Sequence, residues 1–414
     1  MDARMPRKGP PAWPILIAGG GLASQVFGLA LARSLGRAVR VTICDPNLER
    51  PRATGRAYAL SPATVLMLDA LDVALAEALQ PIAAMTITDG KVEEPVRQTY
   101  LSFGETESGP LGFMMEDEAL RPALESAARG AGVAFEATGI ASFEAREDRI
   151  DVVLGSGERC PACLLVAADG ARSRLREAAG IAWFGRAYPQ AGLVAAVRHR
   201  HPHRGRAIQH FLPEGPFAIL PLVDGPDGAH RSSIVWTERQ ARVAEILALA
   251  PEAALDAVAA RVGRNLDPVS LDTPLAAFPL GFGLARSFVA PRFALLGDSA
   301  HEIHPLAGQG LNLGLGDAAA LAERIADAVR LGIDPGSPDV LAAYERDRRF
   351  DAVALAGATD SLNRLFSNDI LPIRALRDLG LGFVDRSAPA KGFFARAASG
   401  QTARAPRLMR GEPL

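Results

Sequence analysis

The fold is decided by residues 15–24 (ILIAGGGLAS), where a short apolar run ends in three glycines and a helical pattern begins. Apolar residues continue at helical spacing to Leu35, which indicates a strand, a tight turn and a helix. A second strand-like run at 40–44 closes at Asp45, and the whole segment has the length of one βαβ unit. These residues therefore predict the start of a parallel sheet.

The glycine turn in this segment is suited to a dinucleotide. Gly19 and Gly21 would let the backbone approach a pyrophosphate, and the following helix would direct its N-terminal amides at the phosphates. Ser24 replaces the third glycine of that fingerprint, and Asp45 lies where a carboxylate can accept hydrogen bonds from an adenosine ribose. Two plainer alternatives stay open: a glycine turn that only closes a βα junction, and a strand-end turn at Asp45.

A second polar loop follows a buried strand later in the chain. The apolar run 163–168 is of the kind that is buried on both faces of a parallel sheet. It ends at Asp169 and Gly170, where the carboxylate can bridge loop amides and the glycine allows a close turn. Taken alone, this loop is interpreted as a capped helix start.

The most informative stretch is residues 297–314 (GDSAHEIHPLAGQGLNLG), which follows a third apolar run at 293–296. It combines a strand-end acid, a rigid proline and a glycine turn before a helix. Asp298 can hold the hydroxyls of a sugar-alcohol chain, and the amides near residues 308–311 can face a negatively charged ring system. We therefore expect a ligand-binding loop here.

The remaining chain predicts a second, largely antiparallel lobe and a helical C-terminal part. Strand-like pieces interrupted by proline and glycine turns fill residues 185–280. Helices dominate after residue 310, with 340–355 the clearest of them. The last residues, 399–414, are rich in Arg, Pro and Gly and are expected to form a loose tail.

Composition and charge narrow the class of protein. A chain of 414 residues exceeds what one hydrophobic core usually supports, so two lobes are expected. The net charge of -2 provides no positive field that would concentrate nucleic acid, so the ligand is expected to be small. No apolar stretch approaches the ~20 residues needed to cross a bilayer, and no signal-type run follows the N-terminal segment. A cytoplasmic enzyme is expected.

Three sets of residues have spacings that suggest metal or redox chemistry, and each has a plainer interpretation that we prefer. They are Cys160 with Cys163, His301 with His304, and His199 with His201 and His203. The cysteines have no second Cys or His pair at ligand spacing and are interpreted as a structural pair at a strand edge. The first histidine pair matches no zinc signature, and the histidine triplet is interpreted as an exposed polar turn. No metal is predicted.

Taken together, these motifs resemble the single-component FAD-dependent aromatic hydroxylases, and most closely their ubiquinone-biosynthesis branch, which shares the fold of para-hydroxybenzoate hydroxylase. The resemblance spans most of the chain, and the 297–314 block is its most specific part. The segments that carry it are residues 19–21 with Asp45, 56–61, Asp169 with Gly170, 215–216 with 220–222, 235–237, and 297–314.

The resemblance implies an α/β protein with a discontinuous Rossmann-like FAD-binding lobe, a largely antiparallel-sheet substrate lobe and C-terminal helices. The implied bounds are 14–80, 112–184 and 285–330 for the FAD-binding domain, 81–111 and 185–284 for the substrate domain, 331–398 for the C-terminal helical region, and 1–13 and 399–414 for flexible ends.

The resemblance also implies which residues hold FAD. They are Gly19, Gly21, Leu22, Ala23 and Asp45 for the ADP half, Asp117 near the pyrophosphate, Arg56 and Asp169 along the cleft, and Asp298 for the ribitol. Pro305, Gly308, Gln309 and Gly310 would flank the isoalloxazine, and Leu311 and Asn312 complete the cofactor-binding set. Relatives usually show Asn, Gln or Arg at position 117, and a carboxylate there would repel phosphate unless it is paired. No side chain is assigned as a catalytic nucleophile, acid or base.

The implied activity is carried by the flavin. NAD(P)H would bind transiently and reduce FAD, O2 would add at the flavin C4a carbon to give a hydroperoxide, and the distal oxygen would pass to the ring of a (poly)prenylated phenol. Peripheral contact with a membrane would aid the delivery of such a substrate. A biosynthetic complex or a homo-oligomer is a further partner that the resemblance leaves open. Two alternatives stay open: an FAD-dependent hydroxylase or reductase of another metabolite, and a catalytically degenerate scaffold of a ubiquinone-biosynthesis complex.

Overall fold

The computed structural model describes residues 13–50, 55–90, 92, 98–104, 109–212, 214–263, 266–303, 309–366 and 404–414. The α-helices are α1 (Leu22–Leu35), α2 (Pro62–Ala70), α3 (Asp117–Gly130), α4 (Arg174–Ala178), α5 (Gln240–Leu247), α6 (Pro251–Val262), α7 (Gln309–Arg330) and α8 (Pro338–Phe366). The strands are β1 (Trp13–Ala18), β2 (Val39–Cys44), β3 (Ala57–Leu60), β4 (Gln80–Ile82), β5 (Ala84–Asp89), β6 (Gln98–Phe103), β7 (Gly112–Glu116), β8 (Ala134–Glu136), β9 (Ile140–Ala145), β10 (Ile150–Leu154), β11 (Arg159–Ala162), β12 (Leu164–Ala167), β13 (Trp183–His199), β14 (Arg206–Leu212), β15 (Gly215–Pro221), β16 (His230–Arg239), β17 (Pro268–Leu271), β18 (Ala276–Ala285), β19 (Val289–Ala290), β20 (Phe293–Leu295) and β21 (His301–Glu302).

The predicted parallel sheet is a six-stranded sheet with the order β19-β20-β12-β1-β2-β8. All neighbouring strands run parallel except the β19–β20 pair at one edge. The whole of β12 is buried, as are Ile15 and Ile17 on β1, because helices and loops cover both faces of the sheet. The α/β fold expected from the apolar runs is confirmed.

Helices α1 and α7 lie side by side and share one apolar core with the parallel sheet. The contact is close because small residues meet there. A Cβ on Gly297, just after β20, would lie 3.7 Å from the Ala23 Cβ on α1, and a Cβ on Gly314 of α7 would lie 3.1 Å from the Gly297 Cα. The strand end and both helix starts therefore converge. Among helices in the described part of the chain, none is long and apolar enough to span a bilayer.

The predicted antiparallel region forms a large second sheet with the order β21-β18-β13-β16-β15-β14-β5-β6, and β17 pairs with β13. Only β14 and β5 run parallel among these described neighbours. Buried Leu193, Phe217 and Trp236 form its core, and α5 and α6 bury Val243 and Val258 in the same cluster. These two helices interrupt a region for which the sequence indicated only strands and turns.

A three-stranded antiparallel sheet, β11-β10-β9, was not predicted from the sequence. Its central strand buries Ile150, Val152 and Leu154 and leaves the residues between them partly exposed. This period of two is the ordinary signal of a half-buried strand.

The C-terminal residues 404–414 pack against the rest of the protein, so the expected loose tail is wrong for this segment. Leu408 and Met409 are buried in the main core, in a 3-10 turn that contacts α2 and α7. The Arg407 N–H donates to Glu323 Oε2 at 2.7 Å, and its Nη2 donates to Asp327 Oδ1 at 2.6 Å. The buried Leu408 and Met409 side chains and the Glu323 and Asp327 carboxylates on α7 therefore hold in place a segment whose composition suggested a loose tail.

Candidate cofactor site

Gly19 has a backbone φ of +103°, a conformation that favours glycine. A Cβ at this position would lie 2.3 Å from the carbonyl oxygen of Ala168, so no other residue fits without a shift of the backbone. The Gly19 N–H donates to the Cys44 carbonyl oxygen at 2.8 Å, and the Ala168 N–H donates to that of Ala18 at 2.8 Å. The carboxyl ends of β1, β2 and β12 thus meet at one edge of the parallel sheet.

Asp45 is fixed beside the glycine turn by two backbone groups. Its Oδ2 accepts from the Gly20 N–H and its Oδ1 from the Asn47 N–H, both at 2.7 Å. The turn-forming alternative is therefore present in the structure. The carboxylate is only half-buried, and its remaining lone pairs can still accept from a ribose hydroxyl.

The first turn of α1 fits a phosphate-bearing ligand. Its N-cap, Gly21, makes no side-chain capping hydrogen bond, and the turn contains no acidic residue, so the amides and the helix dipole favour an anion. Ser24 Oγ and Gln25 Oε1 are buried and have no hydrogen-bond partner within the described ranges. Orphaned buried polar atoms are costly, and the Ser24 hydroxyl can donate to a phosphate oxygen.

The Asp117 carboxylate forms an ion pair with Arg121. This pairing offsets the repulsion that an acid at this position would exert on a phosphate. The side chain is nearly buried at the start of α3. Its Oδ1 accepts from Tyr58 Oη and Arg121 Nη2, both at 2.9 Å, and its Oδ2 accepts from Arg121 Nε at 3.0 Å. Burial raises the pKa of Tyr58 to about 12, so its hydroxyl stays a donor. Sequence reasoning missed Arg121, although its spacing of four residues from Asp117 on a helix is a standard ion-pair signal.

The loop after β12 is a capped helix start that also reaches the Asp298 turn. Ser173 Oγ accepts from the Arg176 N–H at 3.0 Å, which confirms the capping interpretation. Arg176 Nη1 donates to the Ser299 carbonyl oxygen at 2.9 Å, and its guanidinium carbon lies 3.9 Å from the Trp183 ring centroid. Asp169 itself is exposed beside this loop.

Asp298 lies in a 3-10 turn directly after β20. Its surface is accessible, yet surrounding protein desolvates the carboxyl and raises its pKa, while His301 and Arg56 partly oppose the rise. The Arg56 guanidinium lies 5.1 Å from the Tyr58 ring centroid on β3, which belongs to a separate three-stranded sheet β3-β7-β4, and 5.3 Å from that of Phe278 on β18.

Asn312, on the first turn of α7, fixes this helix to the β3–α2 connection. Its Oδ1 accepts from the Ser61 N–H and the Thr64 hydroxyl, both at 2.8 Å, and its Nδ2 donates to the Ala59 carbonyl oxygen at 2.8 Å. The side chain therefore positions backbone, and a role beside a ring system would fall to the amides of the first turn. Gln309, Gly310 and Leu311 begin the same helix.

The Pro305 and Gly308 predictions, together with His304, lie outside the described residues. The segments on either side are described: β21 pairs with β18, and α7 begins at Gln309. The close contacts of Gly297 bring this region to the start of α1, next to the glycine turn. The two predicted site regions thus share one edge of the parallel sheet.

Behind this edge lies a buried charged group. His301 Nε2 donates to Asp317 Oδ2, and Arg348 Nε donates to Asp317 Oδ1 at 2.8 Å. Burial alone would raise the pKa of Asp317, but the two partners hold it below the ordinary value. His301 is therefore committed to a carboxylate partner. No group of His, Cys, Asp and Glu suited to a metal is present in the part of the chain that the structure describes.

The cysteine pair is structural in its contacts. The buried Cys163 Sγ donates to the Pro14 carbonyl oxygen at 3.0 Å, and burial raises its pKa to about 12. Cys160 lies on β11 with its thiol near Glu158, and its pKa is also raised. Neither thiol is poised to ionise at neutral pH.

The interpretation of the histidine triplet as an exposed turn is wrong for His199. This residue is buried on β13, its Nδ1 donates to the His201 carbonyl oxygen at 2.8 Å, and its Nε2 lies 2.9 Å from Ser232 Oγ. Burial lowers its pKa and favours the neutral ring. His201 is exposed as expected, and His203 is half-buried. His199 is buried because it is the last residue of β13, whereas His201 and His203 lie in the turn that follows.

Comparison with known proteins identifies relatives over nearly the whole chain. The family described as FAD binding domain matches residues 12–358. Ubiquinone hydroxylase UbiL of Rhodospirillum rubrum is 40% identical over 414 residues, covering 97% of this chain and 93% of that protein. The 3-demethoxyubiquinol 3-hydroxylase of Escherichia coli is 31% identical over 389 residues, covering 91% of this chain and 96% of that protein.

Among solved structures, p-nitrophenol 4-monooxygenase PnpA from Pseudomonas putida is similar, with a TM-score of 0.74 over 95% of this chain and 99% of that one. At 18% identity this likeness shows the fold alone. The family match and the full-length relatives define a protein of the FAD-dependent monooxygenase class. The chain belongs to the FAD binding domain family, which confirms the resemblance found in the sequence and identifies FAD as its cofactor.

Proposed function

We propose that this protein uses FAD, NAD(P)H and O2 to hydroxylate the aromatic ring of a (poly)prenylated phenol in ubiquinone biosynthesis. The observation that carries the proposal is the full-length match to a ubiquinone hydroxylase at 40% identity. The site geometry supports it, because a phosphate-accepting turn and a desolvated acid lie at one edge of the sheet. That edge is where open α/β sheets bind ligands.

In this proposal each end of the cleft holds one part of FAD. The Gly19–Gly21 turn and the first turn of α1, with Leu22 and Ala23, hold the pyrophosphate, and Asp45 accepts from the adenosine ribose. Asp298 accepts from the ribityl hydroxyls, with Arg56 and Asp169 along the cleft. When bound, FAD supplies the activation and transfer of oxygen.

The described residues contribute orientation. Amides of the Gln309–Asn312 turn point from the N-terminus of α7, where the helix dipole stabilises negative charge on a ring system. We assign residues 14–80, 112–184 and 285–330 to FAD, and 81–111 and 185–284 to the substrate.

Reconstituted enzyme tests this proposal directly. With a prenylated phenol present, NAD(P)H oxidation is expected to rise, and mass spectrometry in ¹⁸O2 is expected to show one labelled oxygen on the ring. The unprenylated phenol is the matched control and is expected to react poorly. A reduced product without added oxygen, or protein that takes up no FAD, would overturn the assignment in favour of a reductase or a scaffold.

Asp298→Asn is expected to stabilise the apoprotein at neutral pH while it weakens FAD binding by at least about tenfold. The folded protein raises the pKa of this carboxyl, so its charged form is disfavoured. Wild-type stability should therefore fall, relative to the variant, as pH rises through that raised pKa. Thermal unfolding between about pH 4 and pH 8 measures the difference. A variant that melts below wild type throughout this range would contradict the desolvated-acid argument.

Peripheral membrane contact belongs to the same proposal, because a prenyl chain partitions into lipid. The side chains of Phe184 and Phe350 are 76% and 75% exposed and are available for such contact. Cosedimentation with anionic liposomes at low salt is the measurement, and protein that stays in the supernatant would remove this part of the proposal.

A further inference from the structure

Arg121 is held in a fixed orientation at the glycine turn. Its Nε and Nη2 donate to the two oxygens of Asp117 at 3.0 and 2.9 Å, a bidentate contact that sets the plane of the guanidinium. Its Nη1 then reaches the Gly20 carbonyl oxygen at 3.4 Å. The contact crosses from α3 to the loop that follows β1, so the arginine stands over the turn that the fold offers to a pyrophosphate.

The Arg121 guanidinium stays positively charged although its side chain is largely buried. Its side chain is 15% exposed. Burial alone would lower the pKa of the guanidinium, but Asp117 raises it above the ordinary value. Nε and Nη2 face Asp117, and the Tyr58 hydroxyl is a further neighbour of the guanidinium. Nη1, which reaches Gly20, carries a second N–H that can donate to an anion there.

Asp117 is better suited to hold a cation than to meet a phosphate. It already accepts from Tyr58 and twice from Arg121, and a carboxylate near a pyrophosphate would otherwise repel it. In the first turn of α1, the fully buried Ser24 hydroxyl has no partner within the described ranges.

We infer that Arg121 is a cofactor-binding residue that donates to the FAD pyrophosphate, and that Asp117 acts through it as a positioning residue. The inference rests on the proposed FAD site at the glycine turn. The unusual acid at position 117 is thereby part of the site, because it orients the guanidinium of Arg121, four residues later in α3, toward the pyrophosphate.

The rival explanation is an ion pair that only braces α3, and a double variant separates the two. Arg121→Gln leaves a nearly buried carboxylate with one partner, so it is expected to lower the melting temperature of the apoprotein under either explanation. Asp117→Asn/Arg121→Gln removes both charges with little change of shape and should restore that temperature. Under the inference, it should not restore nucleotide affinity.

The experiment titrates apoprotein with FAD, followed by flavin fluorescence, and with ADP as competitor. Arg121→Gln and the double variant are expected to weaken both ligands by about tenfold to a hundredfold, the effect of one charge-assisted hydrogen bond. Their affinity should also depend less on salt. Asp117→Asn keeps the cation but removes one of the two acceptors that orient it, so it is expected to weaken both ligands by less than Arg121→Gln does.

Arg129→Gln is the matched control, because Arg129 forms the same i,i+4 pair with Glu125 on the same helix but at its exposed end. It should leave both affinities unchanged. A double variant that binds FAD and ADP like wild type would overturn the inference and leave the proposed function intact. Wild-type protein that binds neither ligand would overturn both.

Discussion

Gly19→Ala is expected to lower the free energy of unfolding of the apoprotein by about 2–4 kcal/mol and to abolish measurable FAD binding. The backbone φ of +103° strains any residue with a Cβ, and that Cβ would lie 2.3 Å from the Ala168 carbonyl oxygen. Because Ala168 belongs to the joined ends of β1 and β12, the clash cannot be relieved by turning a side chain. Urea unfolding and FAD fluorescence titration measure the two effects.

Gly21→Ala is the matched control for that prediction. Its φ is -68°, and a Cβ there meets nothing within 4 Å among the described residues. The apoprotein should therefore lose less than about 1 kcal/mol, the usual range for a weakened N-cap. FAD affinity should still fall, because the methyl group would stand where a pyrophosphate approaches the turn. Equal destabilisation by the two variants would contradict the steric account of Gly19.

Asp317→Ala is expected to lower the free energy of unfolding by about 3–5 kcal/mol, since it removes the only buried carboxylate that pairs with Arg348 in the described part of the chain. Asp317 is fully buried between His301 and Arg348. Its pKa is lowered in the folded protein, so its stabilising contribution is present above the ordinary carboxyl pKa of 3.8 and is lost as pH falls through the folded value. Urea unfolding at neutral pH measures the loss.

Asp351→Ala removes the other carboxylate of the same guanidinium and serves as the control. Asp351 Oδ2 accepts from Arg348 Nη1 at 2.8 Å, but its side chain is 56% exposed. The expected cost is below about 1 kcal/mol, as for other exposed pairs. Asp317→Leu with Arg348→Leu should regain most of the stability, because apolar pairs often replace buried ion pairs without loss. If both single variants cost the same, burial is not the cause.

The sequence predicted the parts of this protein in which one physical constraint dominates. A strand buried on both faces must be apolar throughout, so the runs around Ile15, Leu164 and Phe293 stood out and proved to be β1, β12 and β20. Glycine at a left-handed φ is also visible in a sequence, which is why the turn at Gly19 was found. The FAD roles of the individual residues stay predictions.

Features set by tertiary contacts were not predictable in the same way. Whether Asp117 repels or recruits a ligand depends on Arg121, and the i,i+4 spacing could have revealed that pair. The docking of Leu408 depends on acceptors that α7 presents at Glu323 and Asp327, and no local pattern encodes them. His199 was interpreted as part of a polar turn because the residues that follow it in the sequence are polar and do not indicate a buried position.

The strand order of the parallel sheet determines when, during translation of the chain, the sheet can form. Neighbouring strands β12 and β20 come from residues 164–167 and 293–295, so the sheet is complete only after most of the chain has been translated. Until then the apolar edge of β12 is unshielded, and such non-local pairing is slow. We expect nascent chains to need a chaperone or low growth temperature, and a fragment ending before residue 293 to aggregate when it is expressed alone.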